Sequence, residues 1–458
     1  MIFEPFRIKV VEPIYRSTFE ERKAWMEAAG YNVFGLHAEH VMIDLLTDSG
    51  TSAMSQDQWA ALTAADESYA GSKSFFQFEA AAQEVFGKKI VIPVHQGRAG
   101  EHLVFSTLVK KGDIIPSNGH FDTTIANLLD NGGEPVSLMS PDASDTQAFH
   151  PFKGNMDLER LRELLKQQGE RVPFVMISIT NNSCGGQPVS LENIEAVHDL
   201  CRAAGKPLFI DACRFAENSF FIKLREPACA TLTAKEIAKR CFSFASLIIF
   251  SAKKDAFANI GGLVCLDDDV LGERLKDRLI LTEGFPTYGG LAGRDLAAIA
   301  QGLKEVLDED YLRYRLRTIE WMVERLLPAG VPVLVPAGGH GIYLDGARFF
   351  PTLPATHLPG LTLAVELYLR GGIRSVELGN VAFGRRDAQG TEVFPSHDLV
   401  RLAMPRRAYT EAHASYVVEQ IIELYNERDT VSGFEFVYEA PTMRHFRSRF
   451  RRRSGALS

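Results

Sequence analysis

The sequence predicts an α/β protein built on a mainly parallel sheet, with a smaller α+β domain after it. Three observations predict this. From about residue 84 onward, short apolar runs alternate with helical patterns, which is the order of strand–helix–strand units. Those runs are almost wholly apolar rather than alternating, as in strands covered on both faces. Near residue 310 the texture changes to a long amphipathic helix and then to short segments divided by Pro and Gly.

Residues 1–45 precede the alternation and read as an N-terminal arm or part of the smaller domain. Residues 46–310 form the large domain. Its strands are "IVIPV" (90–94), "FVMISIT" (174–180), "PLFIDA" (207–212), "SLIIFSA" (246–252) and "GGLVCL" (261–266). "EHLVFSTLVKK" and "LENIEAVHDLCRAAG" supply helices between them. Residues 311–458 form the small domain, entered through "DEDYLRYRLRTIEWMVERLLPAG". A chain of 458 residues is too long for one core.

Composition narrows the function classes. Hydrophobic content of 46% and charged content of 24% fit a soluble globular protein. A net charge of −8 is a poor match to nucleic acid, so no such partner is expected. The six cysteines are irregularly spaced with no CxxC pair, which fits a reduced intracellular protein. No apolar run reaches the ~18 residues of a membrane span, and the start carries mixed charges, so a cytoplasmic location without membrane contact is expected. Arginines at 444, 447, 449, 451, 452 and 453 read as a solvated basic tail, with a weak anion or membrane contact as the alternative.

In an open α/β sheet, ligands sit beyond the carboxyl ends of the strands. Three loops there carry chemistry. In "PVHQGRAGEHLVF" a strand gives way to a helix through Gln96, Gly97 and Arg98, a pattern suited to holding a phosphate at a helix N-terminus. In "PLFIDACRF" Asp211 ends a strand and Arg214 follows. The pair either stabilises the turn or sets a carboxylate against a cationic ligand. In "FSAKKD" Lys253 and Lys254 stand together. One ammonium depresses the pKa of the next, which suits an amine nucleophile; a plain surface pair is the alternative. An anion cradle, a carboxylate and an amine are together what pyridoxal phosphate requires.

Beyond these loops, "IDLLTDSGT", "DESYAGS", "HQGRAGEH", "CGGQPVS", "DACRFAEN", "SAKKD", "PTYGGLAGRD" and "VRLAMPRRAYT" resemble segments of the tryptophanase and tyrosine phenol-lyase family, in order from residue 4 to residue 446. The resemblance implies pyridoxal-phosphate fold type I, aspartate-aminotransferase-like, with a mainly parallel seven-stranded sheet. It implies that Lys254 carries the Schiff base and that Lys253 supports it. It implies Asp211 on the ring nitrogen, Arg214 and Asn182 near the ring oxygen, and Phe121 on the ring face. Gln96, Gly97, Arg98 and Ser251 take the phosphate. Arg401, with Thr47, Ser49 and Asn182, takes the substrate carboxylate. Tyr69 acts on the leaving group, and Tyr69 and Tyr288 come from a neighbouring subunit of a homotetramer. Glu67 with the backbone oxygens of Gly50 and Asn259 matches a potassium site.

Three positions separate the branches of that family. "SVELGN" has Leu378 where phenol-lyases carry an arginine, "HFDTT" has Asp122 where they have Thr, and "MRHF" has His445, next to Phe446, where they have Phe. Each has a bland alternative: core for Leu378, surface for His445, a helix cap for Asp122. Together they favour elimination of indole from L-tryptophan. Tyrosine or cysteine-conjugate β-elimination, and a non-catalytic protein that keeps the fold, stay as alternatives. The short "LVKKGDIIPSNGHF", the order "HQGRAGEH", the cysteines in "NNSCGGQ" and "DACRF", and the arginine-rich end depart from the usual pattern.

Overall fold

The computed structural model describes residues 3–387 and 389–453. Its central sheet has seven strands: β1 (Ile90–Val94), β2 (Ile114–Ser117), β3 (Glu134–Ser137), β4 (Val175–Ser178), β5 (Leu208–Asp211), β6 (Leu247–Ser251) and β7 (Gly262–Leu266). Their spatial order is β1-β7-β6-β5-β4-β2-β3. Strands β2 to β6 pair in parallel. β7 alone runs against its neighbours, pairing antiparallel with both β6 and β1. The reason is the short link between β6 and β7. Residues 252–261 suffice for a hairpin-like return but not for the crossover that a parallel partner needs.

Packing explains the apolar runs. All five residues of β6 are buried. Leu247 and Ile249 face one core cluster, with Phe105, Phe174 and Phe209. Ile248 and Phe250 face another, with Phe86, Phe215 and Phe242. Alternate residues of one strand therefore serve two cores. Three helices matter for the site: α1 (Gly97–Leu108), α2 (Asp122–Asp130) and α3 (Phe215–Arg225).

A further buried cluster joins Met26, Val33, Leu36, Ile43 and Leu45 to residues 319–450, including Leu363, Tyr368, Val400 and Phe450. Ile43–Asp44 pairs in parallel with Ile373–Arg374. Strands β8 (Gly341–Asp345), β9 (Val376–Leu378) and β10 (Leu399–Ala403) form an antiparallel sheet with β10 central.

The arginine-rich end differs from the expected solvated tail. Arg449–Arg452 form a strand, β12, antiparallel to β11 (Phe434–Tyr438). Phe450 is buried between exposed Arg449 and Arg451. Glu435 pairs with Arg451 and Arg453, and Glu366 with Arg452. Period-two alternation and these acidic partners keep the segment in the fold. No helix among the described residues is long and apolar enough to cross a membrane. The six cysteines are unpaired.

Candidate active site

The carboxyl edge of the sheet opens into a cavity of about 290 Å³. Four strand ends supply one wall. After β1, Gln96 occupies the N-cap of α1 without capping it through its side chain. The helix start thus presents a positive dipole end beside Arg98. Gly97 is required there, because a Cβ would lie 2.7 Å from Ser251 Cβ. After β6, Lys254 Nζ donates to Ser251 Oγ at 3.1 Å. Lys253 is half-buried, and its ammonium pKa is lowered by burial, then by Lys254 and Arg98. At the end of β5, Asp211 accepts the N–H of Cys213 at 3.2 Å. Phe121, at the N-cap of α2, completes this wall.

A second wall is polar and buried. Arg401, on β10, donates from Nη1 to Asn182 Oδ1 at 3.1 Å and from Nη2 to the Leu46 carbonyl at 3.0 Å. Asn182 Oδ1 also accepts from the Tyr343 hydroxyl at 2.9 Å and lies 3.0 Å from His340 Nε2. Burial, then Arg214, drives the His340 pKa well below its ordinary value, so this ring is neutral. Among the described residues, Arg401 Nε is buried without a partner. Thr47 and Ser49 line the cavity beside it, with Thr47 Oγ1 accepting the Ser49 N–H at 3.1 Å.

The third wall is where branch-specific residues meet. His445 Nε2 lies 3.0 Å from Asp122 Oδ2, both side chains nearly buried. Asp122 is the first residue of α2, not its cap, since Phe121 holds that position. Leu378, Phe446 and Phe34 add apolar surface. Phe34 meets Phe446 edge-on at 4.7 Å.

Five expected residues lie outside this cavity. Tyr69 is 73% exposed. Its ring stands 5.5 Å from that of Tyr288, and the neighbouring Tyr288 hydroxyl raises its pKa. Glu67 caps another helix start, accepting N–H groups of Gly293 at 2.6 Å and Arg294 at 3.2 Å. The Gly50 carbonyl accepts from Asn259 Nδ2 at 3.0 Å. These contacts put Gly50 and Asn259 together and engage Glu67 elsewhere.

Residues 44–420 match the Beta-eliminating lyase family. A tryptophanase from Hyphomonas neptunium is 55% identical over 451 residues, covering 98% of this chain and 99% of that one. A tryptophanase from Rhodobacter capsulatus is 55% identical over 449 residues, with the same coverage. A tyrosine phenol-lyase from Symbiobacterium thermophilum is 44% identical over 448 residues, covering 98% of each chain. The chain belongs to the β-eliminating lyase family. Among solved structures, the SepCysS–SepCysE N-terminal domain complex has a TM-score of 0.56 at 14% identity, covering 85% of this chain and 96% of that one. A serine palmitoyltransferase variant from S. paucimobilis with bound PLP–myriocin has a TM-score of 0.57 at 13% identity, covering 84% of this chain and 88% of that one. The fold is pyridoxal-phosphate fold type I, with the mainly parallel seven-stranded sheet.

Beneath the cavity of this β-eliminating lyase lies a network that sequence reasoning missed. Arg214 pairs with Asp48, through Nη2 at 2.7 Å and Nε at 3.0 Å, and not with Asp211. Arg406 bridges Asp48 at 2.8 Å, Glu217 at 2.9 Å and Asp255 at 2.8 Å. Arg315 joins Glu217 at 3.0 Å. Three carboxyl and three guanidinium groups thus meet, all nearly or fully buried, and burial pushes the Asp255 carboxyl up to about 7 despite Arg406. Burial alone raises the Asp48 pKa, yet the Arg214 and Arg406 guanidinium groups hold it well below the ordinary value. The signal available was the double arginine of "MPRRAYT" next to a strand, but its partners are 150 to 360 residues away along the chain.

Glu101 was also missed. It lines the cavity from α1 and accepts from Thr124 Oγ1. Burial, then Asp211, pushes its carboxyl up to about 7.

Proposed function

We propose that the chain catalyses β-elimination of L-tryptophan to indole, pyruvate and ammonia with pyridoxal phosphate. The observation that carries the choice of substrate is the buried Asp122–His445 pair at 3.0 Å, beside Leu378. That wall has a donor–acceptor pair and apolar surface but no arginine, which suits an indole better than a phenol. The relatives named tryptophanase support this reading. The relatives named tyrosine phenol-lyase keep that activity, and cysteine-conjugate elimination, as the second reading.

The residues present fit the cofactor. An amine, a carboxylate and a helix N-terminus beside Arg98 face one cavity, and the orphaned Arg401 Nε fits a carboxylate ligand. Gln96, Gly97, Arg98 and Ser251 hold the phosphate, Phe121 covers the ring, and Asn182 and Arg214 serve its oxygen. When bound, pyridoxal phosphate supplies an electron sink for the pair left on the α-carbon. Asp211 keeps a proton on the ring nitrogen. Lys254, supported by Lys253, takes the α-proton. Arg401, with Thr47, Ser49 and Asn182, orients the substrate carboxylate. Protonation of the indole at C3 makes it a leaving group, with Tyr69 as the donor.

In this reading Tyr69 and Tyr288 come from a second copy of the chain, within a homotetramer. Gly50, Glu67 and Asn259 serve a potassium ion, and the enzyme works in the cytoplasm in tryptophan catabolism.

The test is pyruvate release by purified protein with pyridoxal phosphate and potassium, on L-tryptophan, L-tyrosine and S-methyl-L-cysteine. Equal amounts of indole and pyruvate from tryptophan alone among the aromatic substrates are expected. Phenol from tyrosine overturns the substrate and leaves the chemistry. A colourless protein that refuses the cofactor returns the non-catalytic reading.

A further inference from the structure

The wall carrying His445 and Phe446 is not part of either sheet that faces the cavity. Both residues sit in the connection between β11 and β12, in a helix of four residues, Arg444–Arg447. So short a helix has little stability of its own. Met443, at its N-cap, is in the left-handed region with φ 51°. The imidazole cannot orient itself either. Its Nε2 meets Asp122, but its buried Nδ1 has no partner among the described residues. The direction of His445 therefore depends on where its backbone is held.

Two side chains hold it. Asn32 donates from Nδ2 to the carbonyls of His445 at 3.1 Å and Ser448 at 2.7 Å. Arg444 is the larger clamp. Its Nη1 reaches Glu392 at 2.8 Å and Glu439 at 3.0 Å. Its Nη2 donates to the Asn380 carbonyl at 3.2 Å, and its guanidinium stacks 4.8 Å from the Phe436 centroid. Asn380 is two residues after Leu378, so one guanidinium ties the histidine wall to the leucine wall. Arg386 closes the set, meeting Glu392 at 3.3 Å and Glu439 at 3.0 Å. Two arginines and two glutamates balance, with the Arg444 side chain only 9% exposed. A planar, largely desolvated guanidinium fixes geometry in a way a flexible surface pair does not.

We propose that Arg444 is a positioning residue that sets selectivity for an aromatic leaving group, by holding His445 against Asp122. The inference rests on the lyase reading above. It predicts a selective defect. Substrates whose leaving group is small do not reach this wall, so their elimination is indifferent to it.

The experiment compares wild type, Arg444→Gln, His445→Ala and the double variant, each saturated with cofactor. Pyruvate release is measured on L-tryptophan and on S-methyl-L-cysteine, and cofactor absorbance is recorded. Misplacement of a positioned group by about 1 Å costs about 10²-fold in rate. Arg444→Gln is expected to lower kcat/KM for tryptophan by about that factor, with S-methyl-L-cysteine changed less than about threefold and absorbance unchanged. The double variant is expected to be no worse than His445→Ala alone, since one acts through the other. Equal losses on both substrates, or losses that multiply, overturn the proposal. If wild type eliminates phenol from tyrosine instead, the substrate reading fails, and tyrosine replaces tryptophan in the same comparison. If Arg444→Gln does not fold, Glu392→Gln is expected to give the same selective loss in smaller measure. An unchanged substrate ratio in that variant overturns the proposal.

Discussion

Replacing Arg401 by lysine tests the anchoring of the substrate. A guanidinium has five N–H donors. In the structure one bonds Asn182 Oδ1 and one the Leu46 carbonyl, and the buried Nε–H has no partner among the described residues. A substrate carboxylate can accept from that Nε–H and from a remaining Nη–H on the same edge. Lysine keeps the charge but has three donors. After serving Asn182 and Leu46 it has one left, and the two-pronged contact is lost. One hydrogen bond to a charged group contributes about 1.5–3 kcal/mol. At about 1.4 kcal/mol per factor of ten, Arg401→Lys should lower kcat/KM by about 10- to 10²-fold. Pyruvate release across substrate concentrations measures it, and cofactor absorbance checks that the site is otherwise intact. A kcat/KM within about twofold of wild type, smaller than any single charged hydrogen bond, refutes the carboxylate assignment.

Other expected outcomes follow from the same cavity. Lys254→Ala should abolish turnover and the visible absorbance of the lysine-bound cofactor; full activity in that variant removes the lysine assignment. Leu378→Arg should weaken tryptophan turnover by placing a charge on the apolar wall, and an unchanged rate means that residue 378 does not face the ring. Glu101 has its carboxyl pKa raised from 4.5 to about 7 by burial, then by Asp211. A raised folded-state value contributes stability that is complete below the unfolded value and lost as pH rises through the folded one. Wild-type melting temperature should therefore fall between pH 4.5 and about 7 more than that of Glu101→Gln, which keeps an acceptor for Thr124. Parallel curves for the two proteins refute this.

Much of the site was legible because its residues end apolar runs. Lys254, Asp211 and Gln96 each follow a strand whose period is local, and the edge rule for open sheets does the rest. The antiparallel course of β7 was less visible, since its residues read like those of a parallel strand. The length of the 252–261 link was the cue. The arginine strand at 449–452 was masked by charge, although Phe450 among arginines carries the alternation. The Asp48–Arg214–Arg406 network left no local mark. Its partners come from distant segments, and only the fold brings them together. Tyr69, Tyr288 and Glu67 lie outside the cavity of one chain; their assigned roles need a second copy or an ion.

The buried six-residue network joins segments made far apart in time. Asp48 leaves the ribosome early, and Arg406 follows 358 residues later. Until then the carboxylates of Asp48, Glu217 and Asp255 lack one common partner. An unpaired charge in a closed interior costs several kcal/mol. Before Arg406 is added, Asp48 can pair with Arg214 and Glu217 with Arg315, whereas the guanidinium partner of Asp255 is Arg406. Arg406 then brings one guanidinium to all three acids. A chain ending before Arg406 holds all seven strands of the central sheet but lacks β11, β12 and the one guanidinium that Asp48, Glu217 and Asp255 share.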